Sequence, residues 1–253
     1  MSTVDEIWPQ RLWLVRHGQS AGNVAAFAAE KAGLPRIDIE HRDQDVPLSE
    51  LGRQQSAAVG RWFGAQPEHE RPTVVVCSPY VRAMQTAELL VQTARLSLAG
   101  PVMDERVREK ELGSLDRFTK AGIVAQFPQE AELRGRVGKF YYRPPGGESW
   151  CDVILRLRSF VDSMQLQYRN ERVLVVGHQV IVLCFRYVLE RMTERQILDI
   201  DAAKDVANCS VTSYALGSDS EGRQGLELTD YNFVAPLEES DTPVTKAPDV
   251  KPS

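Results

Sequence analysis

Three short and almost wholly apolar runs, Leu12-Trp13-Leu14-Val15, Val74-Val75-Val76-Cys77 and Val173-Leu174-Val175-Val176, are separated by long stretches of helical periodicity. A strand that is apolar at every position has both faces covered, and strands alternating with helices are the pattern of a parallel sheet. The expected fold class is therefore α/β. Two further strands are expected over Cys209 to Leu216 and over Gly225 to Thr229, both as edge strands.

The helices between these runs carry start signals. Ser49 precedes Glu50-Leu51 and a helical pattern reaching Phe63. Ser78-Pro79 reads as N-cap followed by Pro at the first helical position. Ser149 with Asp152 resembles a capping box ahead of the stripe Val153, Ile154, Leu157, Phe160, Val161 and Met164, which is core packing. Thr193 opens a short helix ending near Ile200. Two segments are long and irregular: Gly33 to Leu48, and Gly113 to Gly147 with one short helix over Thr119 to Phe127. Such loops in a compact domain are often functional. From about Pro236 the sequence turns polar, and residues 236–253 read as a disordered tail behind a domain over 1–235.

Charge and cysteine usage remove several classes of partner. The 253 residues hold 30 bases against 35 acids, a net charge of -5, whereas a binder of the nucleic-acid backbone shows an excess of base. The longest apolar run, Val173 to Phe185, is interrupted by His178 and Gln179 and is too short to span a bilayer. Met1 to Gln10 carries two acids and no base, unlike a secretory signal. The four cysteines are dispersed among apolar residues and the four histidines lack zinc spacing. Reduced, buried thiols in a cytoplasmic protein are the expectation.

The chemistry gathers at the strand ends. In an open α/β sheet, ligands bind beyond the carboxyl ends of the strands. The first run ends in Arg16-His17-Gly18, the second leads through Ser78 to Arg82, and the third ends in Gly177-His178. A cation in the first turn of a helix opposes the dipole, so Arg82 makes sense facing an anion at that terminus. Glycine before His178 would allow backbone to approach a ligand closely. Arginine forks match phosphate oxygens, and imidazole near neutral pH serves as nucleophile or donor. Two histidines and two arginines, with neither metal nor thiol among them, read as phosphoryl transfer through a phosphohistidine.

Several segments then carry a resemblance. Leu-Val-Arg16-His17-Gly18-Gln-Ser20-Ala-Gly-Asn23, Cys77-Ser78-Pro-Tyr-Val-Arg82-Ala-Met-Gln85-Thr86-Ala-Glu88 and Val-Val-Gly177-His178 resemble the histidine phosphatase (phosphoglycerate mutase-like) superfamily. Leu48-Ser49-Glu-Leu51-Gly52-Arg-Gln54 and Pro145-Gly146-Gly147-Glu148-Ser149 are similar to segments of the same family. The resemblance implies a single three-layer domain with a mostly parallel central sheet and helices on both faces. It implies His17 as nucleophile, Arg16, Arg82 and His178 as the clamp on the non-bridging oxygens, and Asn23 and Gln179 as further phosphate-binding positions. Gln19 stands where many members have Glu. No cofactor is implied, and the partner would be a small-molecule phosphomonoester.

The proton donor to the leaving oxygen lies among Glu105, Glu109 and Glu111, whose spacing puts all three on one face of an extended stretch. The resemblance, which places the acid four residues before a Gly, implies Glu109. Mutases of the family carry Tyr just before that Gly and a Trp-Arg-Arg stretch; here Leu112 and the loop Arg134 to Arg143 stand instead, which favours hydrolysis. A non-catalytic phosphate-binding module would have lost His17, Arg16 or His178, and all are present. The loop's four bases in ten residues, Arg134, Arg136, Lys139 and Arg143, suggest a lid that reads a second anionic group.

Overall fold

Among the described residues, six strands form one sheet in the order β3-β2-β4-β1-β5-β6. They are β1 (Arg11–Arg16), β2 (Val74–Cys77), β3 (Val102–Met103), β4 (Arg172–Gly177), β5 (Val211–Ser218) and β6 (Gln224–Phe233). The three apolar runs become β1, β2 and β4, which lie side by side and parallel, with Leu12 opposite Val173 and Val75 opposite Leu174. The computed structural model describes residues 8–218 and 224–246. Most of Met1 to Gln10 and the last seven residues of the polar tail lie outside them.

The pleat sorts the strand side chains onto two cores. Leu12, Leu14, Val173 and Val175 point to one face, where α6 (Trp150–Gln167) and α7 (Gln179–Leu189) cover them through Leu157, Phe160 and Phe185. Trp13, Val15, Val75, Leu174 and Val176 point to the other, against Val59 and Phe63 of α2 (Glu50–Ala65) and Ala87 and Leu90 of α3 (Val81–Ala94). Side chains of period two facing opposite ways on an all-apolar strand need both layers. The remaining helices among the described residues are α1 (Ala21–Lys31), α4 (Lys120–Gln126), α5 (Pro128–Val137), α8 (Glu194–Ala203) and α9 (Ala235–Glu238).

Several expectations change. Only one of the two late strands is an edge: β5 pairs with β1 and with β6, both antiparallel, and the other edge is the two-residue β3. The helix expected from Ser78-Pro79 starts later, with Tyr80 as N-cap, because the Ser78 hydroxyl is engaged with His178. The Gly113 to Gly147 segment holds two helices, since Pro128 at the first position opens α5 directly behind α4. The start of the polar tail is built into the fold: α9 buries Leu237 completely, and Val244 packs against the α2–α3 core. Two apolar side chains among polar ones are too sparse a signal for composition to register. All four cysteines are free thiols, three of them buried and Cys151 half-buried. Burial pushes Cys77 up to about 11.

Candidate active site

The carboxyl ends of β1, β2 and β4 bring together the residues that the sequence placed there. The His17 N–H donates to the Gly177 carbonyl at 2.9 Å, tying the β1 and β4 loops. Arg16 is wholly buried, and its Nη1 donates to the Val206 carbonyl at 2.7 Å. The loop after His17 packs against the start of α2 so closely that a Cβ on Gly18 would lie 2.4 Å from the Gly52 carbonyl oxygen, and one on Gly52 would lie 2.0 Å from that of Gln19. Gly18 makes room for the backbone of Gly52, and Gly52 for that of Gln19. At Gly177 the close neighbour is Ile181, 3.2 Å from a built Cβ, so this glycine serves packing inside the protein.

His17 Nδ1 lies 2.7 Å from the Gly18 carbonyl oxygen. A carbonyl only accepts, so Nδ1 carries the ring proton and Nε2 carries the lone pair. His178 caps α7, with its ring centroid 5.1 Å from that of His17. Its Nε2 is 2.8 Å from Ser78 Oγ, and its Nδ1 is 3.7 Å from Glu109 Oε2. Asn23 Oδ1 accepts from Ser20 N at 3.0 Å in the capping box of α1 and from Asn208 Nδ2 at 3.3 Å, so an anion would meet its amide NH2. Gln179 Nε2 donates to Asp205 at 2.9 Å; what it offers an anion is its backbone N–H in the first turn of α7.

The three candidate acids part company. Glu105 sits exposed in a single 3-10 turn, Glu105–Val107. Glu111 accepts a 2.7 Å hydrogen bond from the Tyr80 hydroxyl, which burial and that carboxylate push well above its ordinary pKa. Glu109 is buried beside His178 and lines a cavity of about 90 Å³ together with Asn23, Arg82 and Gln179. The Gly four residues later is required: Gly113 has φ 55°, and a Cβ there would lie 2.2 Å from the Pro145 carbonyl oxygen.

Three residues in the same cavity gave no signal in the sequence. Asp43, on a 3-10 turn in the Gly33 to Leu48 loop, places Oδ1 3.1 Å from Arg82 Nη1 and also accepts from Arg82 through its backbone carbonyl. Lys110 lies on the cavity wall, where burial pulls its ammonium down to about 8. Asp201 of α8 pairs with Lys139, whose ammonium also stands 5.4 Å from the Trp150 ring. The four bases of the basic segment separate as well. Arg134 and Lys139 line the cavity, Arg136 is exposed at the end of α5, and Arg143 pairs with Asp152 at the surface. Among the described residues no group of three His, Cys, Asp or Glu is placed to hold a metal ion, and no helix is long and apolar enough to cross a membrane.

Comparison with known proteins decides the family. The model of the histidine phosphatase superfamily (branch 1) matches residues 12–224, from β1 to the start of β6. The chain belongs to this superfamily. Within it, the chain is 30% identical over 233 residues to a phosphoglycerate mutase-like protein of Arabidopsis thaliana, covering 84% of this chain and 76% of that one. It is 32% identical over 231 residues to a 6-phosphofructo-2-kinase/fructose-2,6-bisphosphatase of Caenorhabditis elegans, covering 88% of this chain and 44% of that protein's length. A solved mycobacterial glucosyl-3-phosphoglycerate phosphatase superposes with a TM-score of 0.66 at 27% identity, over 89% of this chain and 100% of that one. Relatives in this superfamily are named as phosphatases and as mutases, so membership shows the fold and supports an enzyme of phosphoryl chemistry.

Proposed function

We propose that this chain is a phosphomonoester hydrolase that needs no metal and works through a phosphohistidine on His17. The observation that carries the reading is the 2.7 Å contact from His17 Nδ1 to the Gly18 carbonyl, which favours the tautomer whose nucleophilic lone pair is on Nε2. Nε2 attacks in line, the bond from phosphorus to the ester oxygen breaks, and Glu109 gives its proton to the departing alkoxide. Arg16, Arg82 and His178, with Asn23 and the Gln179 N–H, neutralise the three equatorial oxygens, where most of the rate of such a reaction arises. Glu109, now a carboxylate, takes a proton from water as the water attacks phosphorus. The phosphorus–nitrogen bond then breaks to return His17 and release inorganic phosphate.

Leu112 before Gly113 favours water over a second alcohol as acceptor, as does the absence of a Trp-Arg-Arg stretch. Some relatives are named as 2,3-bisphosphoglycerate-dependent phosphoglycerate mutases, 28% identical, so the assay must include 3-phosphoglycerate with bisphosphoglycerate. The substrate is a small cytoplasmic phosphomonoester, and Arg134 and Lys139 on the cavity wall favour one carrying a second anionic group. The test is to trap the intermediate: a labelled phosphomonoester should leave an acid-labile, base-stable phosphoenzyme in the wild type and none in His17→Ala. Turnover should survive EDTA. Loss of turnover with the chelator, or label retained in His17→Ala, refutes the reading.

A further inference from the structure

The geometry points to residues 235–246 as a strap that fixes the His17 loop from behind, with Thr245 as a positioning residue for the nucleophile. After α9 has seated Leu237 in the core, the chain runs back beside α2 to Thr245. There the Thr245 hydroxyl lies between two buried amide side chains. Gln55 Nε2 donates to Thr245 Oγ1 at 3.0 Å and to the Pro243 carbonyl at 2.8 Å. Thr245 Oγ1 in turn donates to Asn208 Oδ1 at 2.9 Å, and the Asn208 N–H donates to the Thr245 carbonyl at 3.0 Å.

The far ends of both amides hold the catalytic loop. Asn208 Nδ2 donates to the His17 carbonyl at 3.0 Å and to Asn23 Oδ1 at 3.3 Å. Gln55 Oε1 accepts from the Gln19 N–H at 2.8 Å. An amide presents oxygen on one side and NH2 on the other, so each serves the loop only in one of its two orientations. Both residues are 0% exposed, away from bulk water that could satisfy the wrong orientation. The hydroxyl, which accepts from one amide while donating to the other, couples the two orientations, and the Pro243 carbonyl of the same strap, which can only accept, selects the required pair. Fully satisfied buried networks of this kind rigidify what they hold. The strap thereby sets the height of His17 and Asn23 relative to the phosphate position, although no strap atom enters the cavity wall.

The kinetic arm of the test rests on His17 being the nucleophile; the spectroscopic arm does not. In the full chain, Thr245→Val should slow phosphoenzyme formation from p-nitrophenyl phosphate about tenfold while leaving KM within about twofold, because sub-ångström misplacement of a nucleophile costs rate more than binding. Thr245→Ser, which keeps the hydroxyl, should restore the rate to within about twofold. In parallel, Thr245→Val should move the ¹⁵N and ¹H resonances of the His17 imidazole and Thr245→Ser should not. Leu237→Ala should lower the thermal midpoint more than Thr245→Val yet slow phosphoryl transfer less. A Thr245→Val protein with wild-type rate and unmoved His17 resonances overturns the proposal, as does a serine variant no better than valine. If the wild type forms no phosphoenzyme, the proposed function fails and the His17 resonances alone decide the strap.

Discussion

The carboxylate of Asp43 holds the guanidinium of Arg82 from 39 residues away, with Oδ1 3.1 Å from Nη1 and Oδ2 3.2 Å from Nη2. This is the two-point geometry in which an arginine fork takes a phosphate. The same N–H groups cannot serve two anions at full strength, so if Arg82 takes the substrate phosphate as proposed, the loop competes for it. Asp43→Asn should tighten inhibition by inorganic phosphate and vanadate by about threefold to tenfold, the effect of removing one partly exposed like charge. A weakened inhibition constant in that variant would show that Asp43 orients Arg82 instead.

Glu109 and Glu111 are two residues apart and differ in what they touch. Glu111 is committed to Tyr80, whereas Glu109 stands beside His178 in the cavity. Glu109→Gln should therefore lower kcat by about a hundredfold or more for alkyl phosphates and far less for p-nitrophenyl phosphate, whose leaving group needs no proton. Glu105→Gln should behave as wild type. A leaving-group-dependent loss in Glu105→Gln or Glu111→Gln would move the acid to that residue.

Arg134 lies on the cavity wall and Arg136 does not. Replacing Arg134 by Ala should raise KM about tenfold for substrates bearing a second phosphate or carboxylate, in line with a lost charge-assisted contact. Arg136→Ala should leave the same constants unchanged. An equal rise for p-nitrophenyl phosphate in the Arg134 variant would mean that the residue shapes the cavity without reading charge.

Lys110 gives a pH dependence. Burial holds its folded pKa at about 8, below the ordinary 10.5. Cavity charge is therefore present below that value and lost as the pH rises through it, so KM for doubly anionic substrates should climb between roughly pH 7.5 and 8.5. Lys110→Met should flatten the climb. Stability runs the other way: the unfolded chain binds more protons than the folded one between about 8 and 10.5, so this group's contribution rises with pH across that window. Thermal midpoints of wild type and Lys110→Met across that range measure it.

Local patterns carried much of the fold. The apolar runs of β1, β2 and β4 match the observed strands to within one residue at each end, because full burial on both faces demands apolar side chains throughout. By contrast, β3 is two exposed residues that extend an existing edge, and α5 has no buried residue to leave a stripe. Neither has a periodic apolar face to read. The convergence of His17, Arg82 and His178 was legible because strand ends fix where their side chains begin. Asp43 and Asp201 were not, since their roles depend on loops and helices folding back across the sheet ends. Ser78 shows the limit most clearly: its sequence context fits a helix cap, yet its hydroxyl serves a histidine 100 residues later.

The seat of β1 between β4 and β5 sets the order in which the molecule can mature. The strand that leads into His17 is made before either of its partners, residues 172–177 and 211–218. Pairing at such sequence separation is entropically dear and slow to nucleate. A nascent chain halted before Arg172 would display His17, Arg82 and Glu109 with no strand to align them. Alignment of His17 therefore waits for both later strands, and a product truncated before Arg172 would lack the frame on which the site is assembled.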